Sequence, residues 1–135
     1  MTDRTHIEQS VRAFWKARLR DDLDAMMNLV ADNAVYEMNA RGTGVPDLEH
    51  PTKGKAAIMQ VCRDLMDLWH FENWREIDLS IDGDKGILHW KARATCVPTQ
   101  KSGEFDVVDV FRFRDGKIVD MRENTDTALI MKLAA

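Results

Sequence analysis

Helical periodicity in the first half of the chain and strand alternation in the second predict an α+β domain. The expected architecture is a curved, mostly antiparallel sheet wrapped around three N-terminal helices. Three observations carry that expectation. Apolar residues recur at three- and four-residue spacing up to about position 69. Four alternating runs follow between positions 71 and 126. Asp115-Gly116 stands between two of them as a two-residue hairpin signal, the strongest short-range turn cue in the chain. Helices that precede a meander segregate to one face of its sheet. A sheet bent over them leaves a cone open at one end, a natural site for a small ligand.

The first helix opens at Thr5-x-x-Glu8, which reads as a capping box. Ile7, Val11, Phe14, Trp15 and Leu19 then fall on one stripe, with Arg12, Lys16 and Arg20 opposite. Asp21-Asp22 ends this helix and caps a second, which carries Leu23, Met26, Met27, Leu29 and Val30. Asn33 is the expected left-handed stop, and Ala34 to Asn39 alternates as a short strand. Residues 40–53 hold two of the three prolines and no helical stripe, so they read as a long loop, which in a compact domain is usually functional. A third helix over roughly 54–69 points Ile58, Val61, Cys62, Leu65, Leu68 and Trp69 inward. Strands are expected at 71–82, 86–98, 104–114 and 117–126, and a short helix from Thr127 to Leu133 ends the chain. No internal repeat or linker interrupts the 135 residues, so one domain over 1–135 is expected.

Composition narrows the function classes. Nineteen Lys and Arg against 23 Asp and Glu leave a net charge of −4, the wrong sign for phosphate contacts, so no nucleic-acid partner is expected. No apolar run approaches the ~18 residues a membrane span requires, and the N-terminus opens an amphipathic helix and not a signal region. The reading is a soluble, cytoplasmic domain with no membrane partner. Cys62 and Cys96 read as buried thiols, with one disulfide as the alternative. The four histidines at 6, 50, 70 and 89 lack metal-ligand spacing, so neither a metal nor another cofactor is expected. The four tryptophans, Trp15, Trp69, Trp74 and Trp90, read as packing residues.

The run Phe105 to Phe113 is the most informative. Period-two alternation puts Phe105, Val107, Asp109, Phe111 and Phe113 on one face, apolar apart from Asp109. A carboxylate among Phe and Val is expensive to ionise, so its pKa should rise unless a cation or donor lies near. Two readings stand: a functional acid, or a structural ion pair with Arg93 or His89 on the neighbouring strand. That strand has an apolar face of Leu88, Trp90, Ala92, Ala94 and Cys96. Its polar face, His89, Lys91, Arg93 and Thr95, is either solvated or lines the cavity mouth and supplies cations to Asp109. On the last strand, Val119, Met121, Glu123 and Thr125 share a face. Glu123 is either the second member of an acid–base pair with Asp109 or a residue of an exposed edge.

Three strings carry a resemblance: Asp22-Leu-Asp-Ala-Met-Met-Asn-Leu-Val-Ala-Asp-Asn-Ala34, Gly54-Lys-Ala-Ala-Ile58, and Asp109-Val-Phe-Arg-Phe-Arg-Asp-Gly-Lys-Ile-Val119. Together with the element order they resemble the nuclear-transport-factor-2-like (cystatin-like) superfamily, in its ketosteroid-isomerase and SnoaL-like polyketide-cyclase branches. Ketosteroid isomerase uses an Asp base with an oxyanion hole of a Tyr and a protonated Asp, as the general description of that enzyme has it. The resemblance places the protonated Asp on Asp109 and the oxyanion Tyr on Phe14, which has no hydroxyl. It places the base on Met38, which takes no proton, and a supporting Tyr on Cys62. A true steroid isomerase is therefore not implied.

The limonene-epoxide-hydrolase branch, with its Asp-Arg-Asp network, would match Arg93 and Glu123, with Thr95 at the second carboxylate and Tyr36 and Asn39 in water-holding roles. SnoaL-like cyclases need one acid–base Asp, a demand that Asp109 or Glu123 could meet. The expectation is a homodimer packed through the outer sheet face, using Val108, Val110 and, if it faces outward, Trp90. It binds a small hydrophobic, carbonyl-bearing molecule and performs cofactor-independent acid–base chemistry. Asp109 transfers the proton and Arg93 and His89 set its pKa. Phe14, Tyr36, Met38, Cys62, Phe111 and Met121 enclose the ligand. A non-catalytic binding dimer is the alternative.

Overall fold

The computed structural model describes residues 2–45 and 48–135. The element order is α1 (Arg4–Leu19), α2 (Leu23–Met27), β1 (Val30–Met38), β2 (Thr52–Lys53), α3 (Lys55–Leu68), β3 (Trp69–Asp82), β4 (Lys85–Cys96), β5 (Lys101–Arg114), β6 (Lys117–Asn124) and α4 (Thr127–Ala134). The strands form one open, curved six-stranded sheet in the order β2-β1-β6-β5-β4-β3. Every neighbouring pair is antiparallel except β1 and β6. The α+β class expected from the periodicity is therefore the class observed. No described helix is long and apolar enough to cross a membrane.

Local chemistry accounts for most boundaries, and where it does not, a tertiary contact takes over. The α1 N-cap is Asp3, whose side chain accepts from the His6 amide, two residues before the expected Thr5 box. A carboxylate at a helix N-terminus gains from the dipole as well as from the hydrogen bond, so the helix starts at the acid. Thr5 and Glu8 then lie inside the helix, where Glu8 pairs with Arg4 at 3.6 Å. Asp21 ends α1 with a positive φ of 58°, and Asp22 caps α2 by accepting from the Ala25 amide at 3.1 Å.

The second helix is only five residues long, shorter than its apolar pattern suggests. From Val30 onward the chain pairs in parallel with β6, Val30 opposite Ile118, and the Ile118 amide donates to Leu29 at 2.9 Å. Those ladder bonds override helix propensity, and Asn33 is a strand residue and not a helix stop.

The 40–53 loop is partly ordered by β2, which pairs with β1; its positions 46 and 47 lie outside the described residues. A register shift in the β5–β6 ladder between Arg112 and Phe113 changes the phase of β6. It buries Ile118 together with Met121 and Glu123, so Val119 does not share their face as simple alternation predicts.

The core lies between α1, α3 and the concave face of the sheet. Ile7, Val11, Phe14 and Trp15 of α1 are buried against Leu88, Trp90, Phe111 and Phe113 of β4 and β5. Each such side chain contributes about 1.5–3 kcal/mol on leaving water. Contact is close enough that a Cβ built on Gly86 would lie 3.1 Å from Ile7 and 3.2 Å from Val11. At the far end α4 packs Leu129 and Leu133 over Gly103, covering one side of the cone.

Candidate functional site

The alternation of β5 delivers Asp109 to the concave face, where it is 0% exposed. Two indoles meet it there. Trp15 Nε1 from α1 and Trp90 Nε1 from β4 both donate to Asp109 Oδ2 at 2.9 Å. Its other oxygen, Oδ1, is buried with no hydrogen-bond partner among the described residues. Burial raises the Asp109 pKa well above the ordinary carboxylate value, and the charge of Glu123 adds to it; the two N–H donors oppose the rise. Burial and the neighbouring carboxylate thus favour the neutral form of Asp109.

Glu123 stands opposite Asp109 in the β5–β6 ladder. It too is buried, and it accepts a 2.6 Å hydrogen bond from the Tyr36 hydroxyl at Oε1. Tyr36 comes from β1, whose parallel pairing with β6 sets Met38 opposite Glu123. Burial raises the Tyr36 pKa well above 10, so its hydroxyl stays a donor.

Glu123 differs from Asp109 in facing open space. It lines an open cavity together with Trp15, Arg18, Met38, Trp69 and Phe105 among others. It also lines a second, smaller cavity bounded by Phe14, Tyr36, Cys62 and Met121. The cavity ends against Leu48 of the long loop and Ile130 of α4.

The predicted site residues fall into two groups. Tyr36 and Glu123 share a hydrogen bond, and Asp109 stands opposite Glu123 in the ladder. Phe14, Met38, Cys62 and Met121 line the two cavities. Phe111 does not: it is 0% exposed and packs edge-on to Phe14 with ring centroids 5.6 Å apart, so it supports the wall from behind. Cys62 is a buried thiol pushed up to about 12 by desolvation, with the charge of Glu123 adding to it.

Three expectations are corrected. His89 and Arg93 do not reach Asp109, because the period-two alternation that turns Leu88, Trp90 and Ala94 inward turns these two outward. His89 is bonded instead to Asp106 on the outer face, where Lys91 joins them at 3.4 Å, and Arg93 is exposed. The Asp-Arg-Asp network expected from the epoxide-hydrolase resemblance fails for the same reason. Thr95 bonds Ser102, and Asn39 clamps the backbone of Thr125. Trp90 faces inward and is 2% exposed, so it offers nothing to the outer sheet face.

Three residues escaped sequence reasoning. Trp15 and Trp90 are the hydrogen-bond donors to Asp109, a role that apolar patterning does not reveal. Arg18 is a buried cation on the cavity wall. Its Nη2 donates to Trp69 O at 2.9 Å and Leu65 O at 3.4 Å, and its guanidinium lies 4.8 Å from the Phe71 ring centroid. The signal was present, since Ile7, Val11, Phe14, Trp15 and Arg18 share one helical stripe, with a charge where an apolar residue is due. Among the described residues no group of three or more His, Cys, Asp or Glu side chains is placed to hold a metal ion.

Solved structures show where this fold recurs. A candidate isomerase from Bacillus subtilis superposes with a TM-score of 0.87 at 21% identity, covering 100% of this chain and 98% of that one. An LEH-like epoxide hydrolase from M. tuberculosis gives 0.74 at 23% identity over 95% of this chain and 88% of its own. A candidate polyketide cyclase from Xanthomonas campestris gives 0.81 at 16% identity over 99% and 100%. At these identities the likeness establishes the fold. No curated protein matches the chain in sequence. The profile of the SnoaL-like domain matches residues 11–121, from the middle of α1 to β6. The chain therefore belongs to the SnoaL-like domain family, within the nuclear-transport-factor-2-like superfamily.

Proposed function

We propose that this protein binds a small, mostly apolar, carbonyl-bearing molecule in the conical cavity and moves a proton on it through Glu123, with no cofactor. Glu123 is the carboxylate that faces the cavity, and it is held in one orientation by the Tyr36 hydroxyl. Asp109 stands behind it, where burial and the charge of Glu123 push its pKa up and favour its neutral form. General acid–base catalysis asks for a positioned carboxylate in a site that excludes water, and the apolar lining supplies that setting. The single observation that carries the reading is the Glu123 carboxylate on the wall of an apolar cavity, with the buried Asp109 as its neighbour in the ladder. The neighbouring structures, a candidate isomerase, a candidate polyketide cyclase and an LEH-like epoxide hydrolase, are compatible with it.

The test is solvent deuterium exchange at the carbon next to the carbonyl, followed by NMR across a panel of cyclic ketones and enones. Exchange above the buffer background that falls at least ~100-fold in Glu123→Gln supports the proposal. Exchange that survives this change intact sinks it. Phe14 and Met38 favour a second reading, because they line the cavities at positions where the isomerase resemblance puts catalytic groups. In that reading the fold is a binder without turnover, and the same experiment returns ligand binding with no exchange. The protein is further proposed to act as a cytoplasmic homodimer joined through the outer face of the sheet, where Val108 is 36% exposed. Sedimentation at micromolar concentration distinguishes dimer from monomer.

A further inference from the structure

Arg18 is unusual among the charged residues of this chain. It sits on the cavity wall with its side chain only 9% exposed, among Trp15, Leu65, Trp69 and Phe71. A buried guanidinium needs a counter-charge or a full set of acceptors, and Arg18 is only partly supplied: desolvation lowers its pKa, and the charges of Asp21 and Glu123 offset part of that. Its nearest carboxylate oxygen belongs to Asp21 at 3.9 Å, on a side chain that is 77% exposed. Its Nη2 serves the C-terminal turn of α3 through Leu65 O and Trp69 O. The Nε–H and Nη1–H donors make no hydrogen bond among the described residues. Arg18 lines both the main cavity and the second one, and Glu123 lines both as well. The two cavities therefore share a wall with a cation and a carboxylate on it.

We infer that Arg18 is an anion subsite, and that the ligand of this cavity is an apolar molecule carrying an anionic oxygen on an sp² carbon, a carboxylate or an enolate. This rests on the reading of the cavity as a small-molecule site and adds the charge of its occupant. The apolar body of the ligand lies against Trp69, Phe105 and Val107, and its oxygen takes the unused donors of Arg18 in the charge-assisted geometry a guanidinium offers.

The arrangement also suits the proposed proton transfer. When a C–H bond beside a carbonyl breaks, its proton goes to Glu123 and its electron pair forms the C=C bond of the enolate. The carbonyl π pair moves onto oxygen. Glu123 becomes neutral as the enolate oxygen becomes negative, and Arg18 faces that new charge, so the site's total charge does not change.

The experiment compares two ligands of nearly equal shape, 2-naphthoate and 2-naphthamide, by isothermal titration calorimetry on the intact protein at pH 7.5. The expected result is naphthoate binding at least ~10-fold more tightly than naphthamide. In Arg18→Met the ratio falls to about one, and in Arg18→Lys it is partly kept. A merely structural role at the end of α3 would weaken both ligands together and leave the ratio unmoved. The wild-type comparison needs no variant, so a misfolded Arg18→Met leaves the inference exposed to refutation. Equal binding of the two ligands overturns the anion subsite and leaves the apolar-cavity reading standing. Binding of neither overturns both.

Discussion

Asp109 and Glu123 face each other across the β5–β6 ladder, one sealed from water and the other opening on a cavity. Two carboxyl groups this close do not both carry charge at little cost, and the protein separates them by environment. Asp109 has two indole donors on one oxygen and no route to solvent, while Glu123 has a phenol donor and a wall of open space. The member whose pKa burial raises, Asp109, is the one buried more deeply.

The raised pKa of Asp109 has a definite consequence for stability against pH. An acid whose folded pKa lies above its unfolded value of about 3.9 keeps its proton in the native state while the unfolded chain releases it. Its contribution is complete below that unfolded value and is lost progressively as pH rises toward the folded one, by at most about 1.4 kcal/mol per pH unit. Asp109→Asn removes the titration while keeping an oxygen for the two indoles. Urea unfolding of both proteins at pH 5 and pH 8 should show the variant gaining on the wild type as pH rises. A constant difference between the two would mean that native Asp109 is already ionised at pH 5.

Tyr36→Phe deletes one hydroxyl at a buried position without opening a large void. Glu123 then loses the donor that orients it, and a buried acceptor left unsatisfied costs about 1–3 kcal/mol. Thermal unfolding should register that loss. The proton-exchange rate should fall about tenfold if orientation is worth roughly 1.4 kcal/mol at the transition state.

Cys62 borders the second cavity and carries a thiol pushed up to about 12. The thiolate is the reactive form, so at pH 8 only about one molecule in 10⁴ is ionised. Iodoacetamide should leave Cys62 unmodified in the native protein and alkylate it readily in urea, with mass spectrometry as the readout. Rapid native labelling would show that the wall formed by Phe14, Tyr36 and Met121 opens often.

At Gly86, α1 lies close against the sheet. A methyl group there meets Ile7 and Val11 at 3.1 and 3.2 Å, and both are fully buried. Overpacking of this kind costs about 1–3 kcal/mol. Gly86→Ala should lower the urea midpoint without changing ligand affinity, whereas Gly83→Ala, with open space around it, is strained only by its positive φ of 60°.

Amino-acid order by itself determined the local facts about this protein. The alternation from Phe105 to Phe113 settled that Asp109 points inward, and Asp115-Gly116 settled the hairpin between β5 and β6, because both depend on a few neighbouring residues. Apolar periodicity settled α1 and α3 for the same reason. Only the tertiary structure decided what Asp109 meets. Trp15 is 94 positions away and Trp90 is 19, and their indoles converge on one oxygen because the sheet curves around α1. His89 and Arg93 are on the adjacent strand, yet the pleat turns them to the outer face. The parallel contact of β1 with β6 shortened α2 and aimed Tyr36 at Glu123. Side-chain periodicity is a property of the local backbone, whereas the partner of a buried charge is set by how distant elements pack.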